Sequence, residues 1–155
     1  MTPNVLFSIV NDVSLIAWIL LAVLPKQRWV AGVLAAFVVP AFFAVAYVVI
    51  VVAQFGSSSG GFTSLPAVAT LFSNPWLLLA GWIHYLAFDL FVGSWEVRDA
   101  RERGIPHLAV LPCLALTLMF GPAGWLLYNG VRLAFAKKEG EPFRRAETLG
   151  CPPSR

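Results

Sequence analysis

The sequence predicts an all-α fold: an integral membrane bundle of about four transmembrane helices, the fourth broken at Gly121–Pro122. Three observations predict it. Hydrophobic residues make up 59% of the 155-residue chain and charged residues 12%, where soluble domains carry roughly 25% charged residues. The charges are segregated from the apolar sequence. The apolar sequence divides into runs near the roughly 20 residues that a helix needs to cross a bilayer. Disorder, coiled coil and collagen are excluded by the composition, and a water-soluble globule fits it poorly.

Of eleven basic and eight acidic residues, most lie between Glu96 and Arg103 or in the tail beyond Lys137. Lys26 and Arg28 share a short connector, and Arg132 precedes the tail. Asp12 and Asp89 alone stand inside apolar sequence. The net charge of +3 therefore belongs to loops and tail, where it suits anionic headgroups of a lipid bilayer. No basic and aromatic stripe marks a nucleic-acid surface, so nucleic acid is not an expected partner. Cys113 and Cys151 have neither metal-ligand nor disulfide-framework spacing. One transmembrane domain, residues 1–136, and a polar tail, 137–155, are expected.

The first span covers about residues 5–24 and stops at Pro25. Met1 to Asn4 carries no basic side chain, so the run reads as a permanent span rather than a signal peptide. The second span, 29–53, is uncharged. Pro40 removes a backbone donor near its middle and should kink it. Gln54 to Gly61 is a Gly- and Ser-rich loop. Phe62 to Ser73 is too short to cross and reads as an interfacial or re-entrant piece.

The third span, about 75–97, has the clearest start. Asn74 is a good N-cap, and Pro75 suits the first helical position. The helix should continue beyond the membrane to about Arg103, supported by the pairs Arg98–Glu102 and Asp99–Arg103 at four-residue spacing. Gly104 and Pro106 end it. The Glu96–Arg103 run then reads as a solvated helix end. The fourth span, about 108–135, contains Pro112 and the sequence Gly-Pro-Ala-Gly at 121–124. Its 28 residues cannot make two full spans, so one broken helix is expected. With four full spans, Lys26 and Arg28 place both termini outside the cytoplasm; a reversal at Gly121 would move the tail to the other side.

Ionisable groups at membrane depth are costly and point to function. Asn11, Asp12, His84 and Asp89 lie within spans, and His107 stands at the entrance to the fourth. Tyr85 and Asp89, four apart, share a helix face. His84 and Asp89, five apart, diverge by about 140° at 100° per residue, so both reach one site only if the third span is central. Asp89 either fixes packing or works chemically. The spacings typical of metal-binding helices are missing, so no metal is expected. No nucleophile elbow, phosphate loop or nucleotide fingerprint occurs. Spans one, three and four should meet around span three, leaving uncharged span two the most lipid-exposed.

The stretch NPWLLLAGWIHYLAFDLFVGSWEVRDARERGIPH, followed by LPCLALTLMFGPAGWLLY and Arg132, resembles the abscisic-acid-deficient-four family of small membrane proteins. Asn11 and Pro25 fit more loosely. The plant members are associated with neoxanthin synthesis from violaxanthin. The resemblance implies a membrane protein acting on, or close to, carotenoids, with neoxanthin synthase-like isomerase activity as one reading. A non-catalytic carotenoid- or lipid-associated subunit is the alternative, and a small transporter a third. On matching positions, Asp89, His84 and His107 are candidate catalytic residues. Asn11, Trp82, Tyr85, Arg98 and Asp99 are candidates for binding a carotenoid or another apolar ligand. No cofactor is specified. The short N-terminus resembles that of a bacterial member, for which a multi-pass position in the inner membrane is expected.

Overall fold

A computed structural model describes residues 2–148 of the chain, with side chains through residue 135. Among the described residues the fold is entirely helical. Helix α1 spans Pro3–Val23. A second long segment begins as π-helix, Val30–Val38, and continues as α2, Val39–Gln54. The widened turn has a local cause. Pro40 offers no N–H, and its ring collides with the carbonyl four residues back. The backbone instead pairs five residues apart, with the Val39 N–H bonded to the Leu34 carbonyl. The expected kink is thus a π-helical stretch.

After a Ser- and Gly-rich loop comes a short helix α3, Leu65–Leu71, capped by Ser64, whose Oγ accepts from the Ala67 N–H. It does not cross. Helix α4, Pro75–Glu102, follows as expected. Asn74 Oδ1 accepts from the Trp76 N–H at 2.9 Å. At the far end Gly104 adopts φ +65, and the N–H groups of Gly104 and Ile105 bond to the carbonyls of Arg101 and Ala100. That double bond pattern terminates helices at a left-handed glycine.

Three segments are long and apolar enough to cross a membrane: Pro3–Val23, Val30–Ser57 and Pro75–Glu102. Helix α4 is the centre of the bundle, packed by α1, the second segment, α5 and α6. The second segment presents many apolar side chains outward, including Phe37, Val45, Val49 and Val52. It nevertheless packs closely along α4, so it is a full member of the bundle. Close approach depends on small residues. A Cβ on Gly93 would stand 2.5 Å from the Trp18 ring of α1.

The fourth span differs from expectation. It is two helices, α5, His107–Phe120, and α6, Pro122–Thr148, parted at Gly121 with φ +30. The 14 residues of α5 rise about 21 Å, short of a hydrocarbon core of about 30 Å. The chain then reverses. His107 bonds to the Ala22 carbonyl at the end of α1. Gly121 lies against Asp89, midway along α4. Tyr128 and Arg132 return to Asp99, near the α4 terminus. Helices α5 and α6 are therefore a re-entrant hairpin, closed where Gly124 packs directly on the Thr117 backbone. Helix α6 continues through Thr148, so the backbone stays helical into the segment read as tail; residues 149–155 lie outside the described residues.

This reversal corrects the placement of both termini outside the cytoplasm. The tail emerges on the side of Lys26, Arg28, Arg101 and Arg103, and the N-terminus lies on the other. Positive-inside counting no longer ties, since the basic residues gather on one side, which is then cytoplasmic. Single cysteines at Arg28, Glu102 and Ala134, in a chain freed of Cys113 and Cys151, should react with an impermeant maleimide from the same side. A cysteine at Ser59 should react from the opposite side. Labelling at Ala134 from the Ser59 side would disprove the hairpin.

Candidate functional site

Helix α4 carries its polar residues as a stripe. Tyr85, Asp89, Glu96 and Asp99 recur at intervals of four, seven and three, which are near-integral helical turns. Each meets the re-entrant hairpin. The Tyr85 hydroxyl donates to the Leu118 carbonyl at 3.1 Å. Asp89, 9% exposed, faces Gly121, where a Cβ would come within 2.6 Å of its Oδ1. Glu96 is 0% exposed, and its Oε1 accepts from the Thr117 hydroxyl at 2.9 Å. Asp99 accepts from the Tyr128 hydroxyl at 2.7 Å and pairs with Arg103 at 2.9 Å and Arg132 at 3.2 Å. Arg132 also lies over the Trp95 ring.

The satisfaction of these groups is incomplete. Asp89 Oδ2 and Glu96 Oε2 are buried without hydrogen-bond partners, as are Ser14 Oγ and Trp18 Nε1 on the neighbouring face of α1. Buried polar atoms are paired in the great majority of cases, so two free carboxylate oxygens on one face of α4 mark it out from ordinary packing.

Above the stripe, on the side away from the basic residues, the starts of α1 and α4 and the end of α3 line an open groove of about 560 Å³. Phe7, Phe72, Leu78, Trp82 and Tyr85 are among its walls. The aromatic rings are mutually packed: Phe7 and Trp82 have centroids 5.8 Å apart, Trp82 and Tyr85 5.3 Å. Trp82 Nε1 donates to Asn11 Oδ1 at 3.2 Å, and Asn11 Nδ2 donates back to the Phe7 carbonyl at 2.7 Å. Gly81 leaves the space that Phe72 fills, since a Cβ there would lie 3.0 Å from its ring.

The model of the ABA DEFICIENT 4-like family matches residues 5–128, most of the chain and nearly all of the structure just described. The chain belongs to the ABA DEFICIENT 4-like family. No curated protein and no solved structure matches it. In this family member the candidate residues fall into two groups and several outliers. Trp82 and Tyr85 line the cavity, and Asn11 fixes the Trp82 ring. Asp89 lies one turn beyond Tyr85, within its electrostatic reach, and connects the cavity to the acidic stripe that ends at Asp99. Arg98 is separate: its Nε donates to the Ser94 carbonyl at 3.3 Å, and the expected pair with Glu102 is not among the ion pairs of the described residues.

His84 and His107 are placed elsewhere. His84 is exposed on another face of α4, its ring 5.8 Å from that of Tyr47 and 4.6 Å from that of Phe88. Its divergence of about 140° from Asp89 is what the helical repeat dictates, and the polar stripe takes the Asp89 side. His107 Nε2 is 2.8 Å from the Ala22 carbonyl, tying α5 to the last turn of α1. Asp12 is exposed on the outer surface of α1 and joins neither group. Among the described residues no three His, Cys, Asp or Glu side chains converge as metal ligands.

Tyr128, an aromatic whose hydroxyl is a polar handle in the sequence, completes the site with Glu96 and Thr117, which sequence reasoning passed over. Glu96 opens a charged run and so reads as solvated; its place seven residues after Asp89, two turns along the same face, was the available signal. Thr117→Val keeps the volume but leaves Glu96 Oε1 without its donor. It should lower stability by about 1–3 kcal/mol, the cost of an orphaned buried acceptor, read as an earlier unfolding midpoint of the detergent-solubilised protein. An unchanged midpoint would show that this contact does not hold the hairpin.

Proposed function

We propose that this membrane protein, in a bacterial inner membrane, binds a carotenoid-like polyene in the aromatic cavity and rearranges its end group by proton transfer. The observation that carries the reading is the groove wall. An apolar, ring-lined groove has Tyr85 in its wall, and the buried Asp89 carboxyl lies one helical turn farther along α4. Such walls accept conjugated hydrocarbon. A positioned acid and base is what isomerisation through proton addition and removal requires. Asp89 is the acid, and Tyr85 the group that presents the proton to the ligand. Trp82 and Asn11 position the ligand. His84 and His107, facing away from the cavity, have no direct part in this scheme.

One observation favours a second reading, a pigment- or lipid-holding subunit without turnover. The Tyr85 hydroxyl is already engaged with the Leu118 carbonyl, as a purely structural tyrosine would be. Expression in a carotenoid-producing host separates the two. The wild-type protein should alter the pigment profile, and Asp89→Asn should bind pigment without altering it. Pigment that co-purifies with the wild-type protein unchanged would favour the holding role. Absence of any bound polyene would reject both.

A further inference from the structure

The acidic stripe extends well past the groups that such a reaction would use. Glu96 is fully buried and lies about 10 Å of helix rise from Asp89, on the same face. Asp99 lies a further turn on, reaches the basic side and is partly exposed. A carboxyl at this depth is costly, and buried acids within membrane bundles commonly mark proton pathways. The Thr117 contact accounts for one oxygen of Glu96 and leaves the other, Oε2, without a partner.

Resting on the reading of Asp89 as the proton donor, we propose that Glu96 is a relay through which protons from the cytoplasmic side recharge Asp89 beneath the re-entrant hairpin. The geometry separates its two oxygens by role. Oε1 is anchored by the Thr117 hydroxyl, whereas Oε2 is buried and free. Between Glu96 and Asp89 the face of α4 carries Gly93, on which Trp18 is seated with Leu114 of α5 beside it. Asp89 Oδ2 and Glu96 Oε2 are both buried and unpartnered on this face of α4. They are the partners that a short file of water needs, since a buried water takes about three hydrogen bonds. Water is also the carrier that the separation of the two carboxyls demands.

The ionisable groups that face Glu96 are Asp89 on its own helix, Cys113 on α5 and Tyr128 on α6. Tyr128 joins it to the surface by donating to Asp99, which Arg103 and Arg132 hold. Helix α1 contributes no charge there. In each cycle an O–H bond of Glu96 breaks as water passes a proton to the Asp89 carboxylate. Glu96 then regains a proton from the Asp99 end. One proton moves inward while the proton that the end group loses leaves to water at the open face of the groove, so each cycle conserves protons and nothing is oxidised or reduced.

The test is hydrogen–deuterium exchange of the Asp89 carboxyl, followed by infrared difference spectroscopy on the full chain in liposomes. Its band is assigned by its loss in Asp89→Asn. Glu96→Gln preserves the acceptor for Thr117 but cannot carry a proton. It should slow the exchange of Asp89 by roughly a hundredfold, the lower range for loss of a positioned proton-transfer group, and Glu96→Asp should restore much of it. If the Gln protein does not assemble, Asp99→Asn is read in the same way at the other end of the path. Exchange of Asp89 at the wild-type rate in the assembled variant would overturn the relay. Pigment conversion is scored separately. Slowed exchange in a protein that converts no pigment keeps the relay and rejects the catalytic reading. Conversion with unchanged exchange does the reverse.

Discussion

A carboxyl at the middle of a bilayer must be covered, and α4 places two of them, Asp89 and Glu96, on one face. Exposing such a group to lipid costs about 2.5–3.5 kcal/mol even on insertion scales. The remaining architecture answers that constraint. Helix α1 closes one flank, with Trp18 lodged on Gly93. The α5–α6 hairpin closes the other, delivering partners to three of the four levels of the stripe: Leu118 to Tyr85, Thr117 to Glu96, and Tyr128 with Arg132 to Asp99. The hairpin needs no full crossing because the groups it covers run only from about the centre of α4 to the side of the basic residues. The other half carries the cavity, whose walls are aromatic.

What was legible in the sequence was what local chemistry decides. The Asn74 cap, the Gly104 stop, the disturbance at Pro40 and the break at Gly121–Pro122 each follow from one or two residues acting on their own backbone. Apolar length gave three crossing segments, and family resemblance was carried by motifs spread over α4 and α5. The central position of α4 followed from its having polar groups on diverging faces.

What was not legible depends on contacts between distant parts of the chain. Whether a helix broken at Gly121 continues across or turns back is settled by the fit of Gly124 on the Thr117 backbone, a tertiary matter. Glu96 sits where apolar sequence gives way to charge, and composition assigns such a residue to solvent. Only the hairpin over it makes it interior. The opposite error touches His84, whose polar character suggested the bundle interior, whereas the stripe it would have joined lies on the other side of the same helix.

The re-entrant hairpin also imposes an order on biogenesis. Helix α5 is too short to lodge in the bilayer as a spanning segment, and Pro112 interrupts its bonding, so it has little reason to stay in lipid alone. Its place is made by α4, through the very groups that lipid disfavours. Conversely, α4 enters the membrane with its acidic face uncovered, because the residues that cover it are synthesised afterwards. Each segment is a poor insertion substrate without the other. Folding therefore couples them: α4 is fully covered only when the last third of the chain arrives. A defect in the hairpin would accordingly surface first as failed membrane integration of α4, not as a local loosening at the C-terminus.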